Sequence, residues 1–429
     1  MKRLALLLVL VPAPLLAATI AITGGHVATG TAPPVEGATV LIRDGRIVGV
    51  GNLPVPAGAT VIDATGKWVT PGIVAAMSQI GISEVEEGTP SNDAGARTSP
   101  FAASLDVASA LNAAASPVAV NRQAGVTRAA VTLEATHQIF AGRGALISLA
   151  SGPDLLRRAH AFQFVELGER GARIAGGSRP AAYAALTNAL DEAKGLAANP
   201  ARARTFEPRE ALLTRADAEA LIPVVDGREP LVVHVERASD IVAALRLRGQ
   251  YPKLRLILLG ADEGWLVAPQ LAAAHVPVIA LSLEDRPEQF ESLAATKSNI
   301  GRMVAAGVTV AIGSPGDGTG NQTRNLTQFA GNTVAQARVK GGVGLSWTQA
   351  LYTITGAPAA IWGMSDTGTL AAGKRADVVV WDNDPLELGA APVVVLIDGV
   401  SQPLTTRQTE LRDRYLQLPH DALPLQYPK

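Results

Sequence analysis

Few residue types in this chain can do chemistry. Its 429 residues include no cysteine and six histidines: His26, His137, His160, His234, His275 and His420. Without thiols there is no disulfide, no thiolate nucleophile and no Cys-ligated zinc or iron–sulfur centre. Six scattered imidazoles leave little for a histidine-rich metal site. One of them has the setting of a site residue. In PLVVHVERASDI, His234 closes an apolar run, and Glu236 two residues on shares its strand face. The segment ISEVEEG at 82–88 carries Glu84, Glu86 and Glu87. They read either as a solvated loop or as a mouth that favours a cationic ligand. Ser78, Ser148 and Ser314 stand near strand ends, but none lies in G-x-S-x-G and no Ser-His-Asp set is visible. GRGALIS at 142–148 leads into a strand rather than a helix, so it is no nucleotide loop.

The elements that must position these groups follow from the apolar patterning. Short β-branched segments, TIAITGGHVAT, ATVLIRDGRIVGVG and ATVIDATG, open the chain after residue 18, and GTLAAGKRADVVVWDNDP and APVVVLIDGVSQ close it. Asp44-Gly45 and Asp398-Gly399 supply hairpin turns with their tolerance of positive φ. Between these ends, nearly all-apolar runs (GVTRAAVTL, ALISL, PLVVHV, LRLILLG, VPVIALS, VTVAIGS) alternate with Ala- and Leu-rich helical stretches. Such runs fit parallel strands covered on both faces. At this length the repeated strand–helix unit points to a barrel, with an open doubly wound sheet as the alternative.

Charge is balanced, 37 basic against 38 acidic residues for a net −1, and no basic run marks a nucleic-acid face. Lys2 and Arg3 precede a stretch of about fifteen apolar residues broken by Pro12 and Pro14, with Ala17 and Ala18 behind it. That is short and interrupted for a membrane span and has the form of a secretory signal. The expectation is a signal peptide at 1–18, no membrane span after its removal, and a periplasmic or secreted protein.

More specific residues stand at two places. WVTPGIVAA at 68–76 follows the first β segment, and LSWTQALYTITGAPAAIWGMSDTGTLAAGKRADVVVWDNDPLE runs from 345 to 387. Together they resemble the metal-dependent amidohydrolase superfamily, in its imidazolonepropionase-like branch, over nearly all of the chain after residue 18. The resemblance implies an α/β fold: a distorted TIM (β/α)8 barrel over 66–365, a small composite β-sandwich from 19–65 and 366–410, and a tail at 411–429. Asp377 then reads as a residue that starts a strand rather than a catalytic acid.

The same resemblance implies His-x-His at the end of the first barrel strand, where two imidazoles on one strand face hold one divalent ion. Met77 and Gln79 stand there instead. A thioether is a soft, weak donor and a neutral amide does not replace an imidazole on zinc. His234 matches the ligand-bearing fifth strand. At the sixth strand Gly260, Ala261, Asp262 or Glu263 stands near the place where a histidine is expected. At the eighth, Ser314 is followed by Pro315 rather than by aspartate, and Asp317 lies two residues further on. No position answers to the bridging lysine or glutamate of binuclear members. With at most one usual ligand left, no metal and no other cofactor is expected. His234 reads either as a hydrogen-bonded relic or as the catalytic or ligand-contacting residue of the cleft. Met77, Gln79, His137, Arg143, Glu236, Asp262, Glu263, Ser314 and Asp317 are the pocket candidates. Two functions follow: a barrel that binds a small molecule or partner with little metal-dependent hydrolysis, or an exported hydrolase of peptide or non-peptide C–N bonds through an atypical site. No nucleic acid is expected as a partner, and oligomeric state is open.

Overall fold

The computed structural model describes residues 19–84, 92–199, 211–282, 284–313 and 321–416. The terminal strands form one sheet. It contains β1 (Thr19–Val27), β2 (Val35–Arg43), β3 (Arg46–Gly51), β4 (Thr60–Asp63), β5 (Trp68–Pro71), β14 (Val378–Trp381), β15 (Pro392–Ile397) and β16 (Val400–Ser401). Their order is β16-β15-β14-β5-β1-β2-β3, with β4 beside β1. The two ends of the chain meet where β5 runs antiparallel to β14, Trp68 opposite Trp381.

Both expected hairpin turns are present. Asp44 and Gly45 have φ 51° and 72°, and Asp398 and Gly399 have φ 51° and 75°. The turns touch: a Cβ on Gly45 would lie 2.6 Å from the Asp398 carbonyl oxygen. Ile47 N–H bonds Lys374 O at 2.8 Å and Ala376 N–H bonds Gly45 O at 2.9 Å. These bonds bring the β3 edge back to the segment before β14. The sheet therefore curls over its own apolar core, which includes Ile22, Val40, Ile47, Val69, Val378 and Leu396.

The middle of the chain builds the second sheet, a nearly closed barrel of β6 (Ile73–Ser78), β7 (Val126–Val131), β8 (Phe140–Ser148), β9 (Leu156–Glu166), β10 (Leu231–Val235), β11 (Leu256–Gly260), β12 (Val278–Ala280) and β13 (Val310–Ile312), in that spatial order. At the seam, a Cβ on Gly313 would sit 3.3 Å from Ala76 Cβ. The helices are α1 (Ser116–Gln123), α2 (Gly168–Ile174), α3 (Arg179–Ala198), α4 (Arg215–Val225), α5 (Ala238–Gln250), α6 (Ala268–Ala274), α7 (Asn299–Ala305), α8 (Leu326–Gln336), α9 (Trp347–Thr353), α10 (Gly356–Ile361) and α11 (Arg407–Leu416).

One strand departs from the expected repeat. β8 runs antiparallel to both β7 and β9. The cause is the length of the links, 132–139 and 149–155, neither of which holds a helix. A parallel crossover needs a dozen or more residues. β8 also needs Gly144, because a Cβ there would fall 2.0 Å from the Phe162 ring. Phe162 in turn packs against Trp362, ring centroids 4.6 Å apart, in the barrel core.

Barrel and curled sheet are joined by a buried ion cluster. Arg128 of β7 bonds Asp377 through two nitrogens at 2.8 and 2.9 Å and reaches Asp398 at 2.8 Å. Arg375 closes the cluster on Asp398 at 2.8 Å. Burial opposes ionisation of Asp398, but Arg375 and then Arg128 outweigh it and hold its carboxyl below the usual range. Asp377 is thus a joint between the two units.

Candidate functional site

His234 is placed by register. β9 and β10 are parallel, and Glu166 lies directly beside His234 on the neighbouring strand. Both stand at the C-terminal ends of their strands, the end at which barrel loops build sites. His234 Nδ1 is 2.8 Å from Glu166 Oε1, and Nε2 is 2.8 Å from Glu236 Oε1. The imidazole is held on both sides.

The next strand continues the pattern. Asp262 N–H donates to Glu236 Oε2 at 2.9 Å. That approach requires Gly260, at φ +86°, because a Cβ there would lie 2.2 Å from Glu236 Oε1. Ser292, in the segment after β12, donates its hydroxyl to Asp262 Oδ2 at 2.7 Å. On the other side of Glu166, Arg170 lies 3.9 Å from that carboxylate and 3.7 Å from Glu134. Gln79 Nε2 donates to Glu134 Oε1 at 2.6 Å. One polar chain therefore crosses the barrel mouth: Gln79, Glu134, Arg170, Glu166, His234, Glu236, Asp262, Ser292.

Its electrostatics are set by burial and by these neighbours. Burial alone would lower the basicity of His234. The charge and hydrogen bond of Glu166, then those of Glu236, outweigh it and hold the imidazole well above its usual value. Asp262 is pushed up to about 7, first by burial and then by the charge of Glu236, with Ser292 pulling back.

The sequence candidates divide accordingly. Gln79, His234, Glu236 and Asp262 are brought together. Met77 is fully buried in the barrel core. Glu263 is occupied in holding backbone: its oxygens accept Ala238 N–H, at the start of α5, at 3.0 Å and Ala294 N–H at 3.1 Å. His137 lies in the link between β7 and β8 and contacts Thr136 and Gln138. Arg143 pairs with Glu229, in the segment before β10, at 2.7 Å. Ser314 and Asp317 lie outside the described residues, as do Glu86 and Glu87 of the acidic loop. Glu84 is tied to Asn112 and to the start of α1. Two cavities, about 470 and 220 Å³, open instead at the N-terminal end of β13, beside Val308 and Thr309, and involve no member of the chain.

Sequence reasoning missed Glu134, Glu166, Arg170 and Ser292. Glu166 had a readable signal: FQFVE ends an apolar run in an acid, as LVVHVE does around His234.

A model described as the Amidohydrolase family matches residues 254–401. Over 385 residues the chain is 26% identical to amidohydrolase tasK of Hapsidospora irregularis, covering 80% of this chain and 37% of that protein. It thus spans little over a third of that relative's length. Among solved structures, an amidohydrolase from Thermotoga maritima MSB8 superposes with TM-score 0.78 at 24% identity, covering 89% of this chain and 99% of the other. Atrazine chlorohydrolase TrzN from Arthrobacter aurescens TC1, complexed with zinc, gives TM-score 0.52 at 17% identity over 92% of this chain and 99% of the other. The chain shares the fold of these amidohydrolases.

That fold implies a metal ion at this barrel mouth, and the donor set does not fit one. A metal-bound imidazole offers a lone pair from one nitrogen. Both nitrogens of His234 are instead within hydrogen-bond distance of carboxylate oxygens. Among the described residues, no three His, Asp or Glu side chains are grouped so as to hold a metal ion.

Proposed function

We propose that this chain is an exported protein of the imidazolonepropionase-like branch that binds a small organic molecule or a partner at the C-terminal barrel face, with little metal-dependent hydrolysis. Residues 1–18 would be its signal peptide. The single observation that carries the reading is His234, whose two ring nitrogens are both committed to carboxylates. Without a Lewis acid the site has no means of making metal hydroxide near neutral pH. Glu134, Glu166 and Glu236, against His234 and Arg170, favour a neutral or cationic ligand over an anion.

The test is a broad amide and dipeptide panel, assayed with and without added Zn²⁺, Mn²⁺ or Co²⁺, with His234→Ala as control. The reading expects no metal-dependent turnover and expects thermal stabilisation by some neutral or cationic compounds. Metal-dependent turnover lost in H234A would overturn it.

A second reading, an exported hydrolase of peptide or non-peptide C–N bonds through an atypical site, has one observation in its favour. Asp262, pushed up to about 7, is hydrogen-bonded through its backbone to Glu236. A carboxyl whose proton affinity lies near neutrality can exchange a proton with a bound substrate. This reading expects metal-independent turnover that Asp262→Asn abolishes.

A further inference from the structure

We propose that the imidazole of His234 serves as an internal cation that takes the place of a metal ion, held in a carboxylate shell that would otherwise attract one. The inference rests on the non-metal reading above and extends it to what the site has become.

The geometry carries it. Glu166 and His234 are register partners on adjacent strands, so the backbone fixes their approach. Ionised carboxylates only accept hydrogen bonds. One carboxylate lies 2.8 Å from each ring nitrogen, an arrangement matched by a ring that donates from both nitrogens and so carries a positive charge. The Glu166 side chain is 4% exposed. A carboxylate buried to that degree requires a cation or hydrogen-bond donors close by. Arg170 stands further away, at 3.9 Å, so the imidazole is the near partner. The second oxygen of Glu236 is already used by Asp262 N–H, and Gly260 leaves the space in which that carboxylate sits. The strand ends are thus shaped around carboxylates, and the positive charge between them is covalently part of the chain.

Removing the ring should leave Glu166 and Glu236 facing a space of ionic size without a cation. Such a site, all oxygen and flexible, suits a hard divalent ion such as Mn²⁺. A lysine at 234 would restore the charge without the ring.

The experiment is calorimetric titration of Mn²⁺ into the wild-type protein, H234A and H234K, with circular dichroism to verify folding. The wild type and H234K should show no stoichiometric site, and folded H234A should bind Mn²⁺ at least about tenfold more tightly than either. Glu166→Gln in the H234A background should remove that gain. Folded H234A with no gain, or H234K binding as well as H234A, would overturn the internal-cation proposal while leaving the non-metal reading standing. Stoichiometric binding by the wild type would overturn the non-metal reading itself. Nitrogen NMR of the wild-type ring covers the case in which H234A fails to fold. Two ring N–H protons at neutral pH support the proposal, and one overturns it.

Discussion

His234 and Asp262 have proton affinities displaced in the same direction, so both make stability fall as pH rises toward the raised values. The folded-state value of His234 lies well above the usual 6.5. Its contribution is therefore complete below about pH 6.5 and declines as pH rises through the raised value. The stability gap between wild type and His234→Gln should be largest in mildly acidic solution and should narrow on the alkaline side. Chemical denaturation across pH checks this, and a gap that widens with pH would contradict it. Asp262 is raised from 3.8 to about 7, so the fold resists its ionisation. Asp262→Asn should stabilise the protein above about pH 7, on the order of a few kcal/mol, and the gain should fade toward pH 4. At this scale the sequence was half legible. His234, Glu236, Gln79 and Asp262 were found because strand alternation or family position marks them. Ser292 and Arg170 come from segments whose path across the barrel mouth no local pattern encodes.

The elements were legible where chain length and turn chemistry decide them. Asp44-Gly45 and Asp398-Gly399 form the turns their φ tolerance allows, and the apolar runs from 231 to 312 became the parallel strands β10 to β13. β8 was misjudged in direction. Its apolar run is compatible with either orientation, and the deciding fact is the absence of a helix in the two links beside it. Gly144 belongs to this scale. Gly144→Ala forces a methyl into the Phe162 ring, and such overpacking typically costs about 1–3 kcal/mol. A thermal or denaturant midpoint unchanged by this substitution would contradict the packing described.

Across the whole molecule, the chain ends meet through the curled sheet, and Arg128 fastens that sheet to the barrel. Its side chain and that of Asp377 are 4% and 2% exposed. Breaking a buried pair by removing one partner typically costs about 3–5 kcal/mol, because a buried charge is left unmatched. Arg128→Ala should therefore destabilise the protein by about that amount in urea unfolding. Loss of under about 1 kcal/mol would show that the joint is not what holds the two units together. The fold was legible at this scale because GAPAAIWG and GKRADVVVW carry the resemblance and both chain ends read as short strands. The site was legible only in part, since Met77 and Gln79 could be read against the resemblance while the Glu166–His234–Glu236 clasp depends on strand register. The central claim is that this clasp leaves no coordination site for a metal. Elemental analysis of the native protein, purified without chelators and dialysed, tests it most directly. The account predicts zinc, manganese, cobalt and iron all far below one equivalent per chain. One tightly retained equivalent of any of them would contradict it.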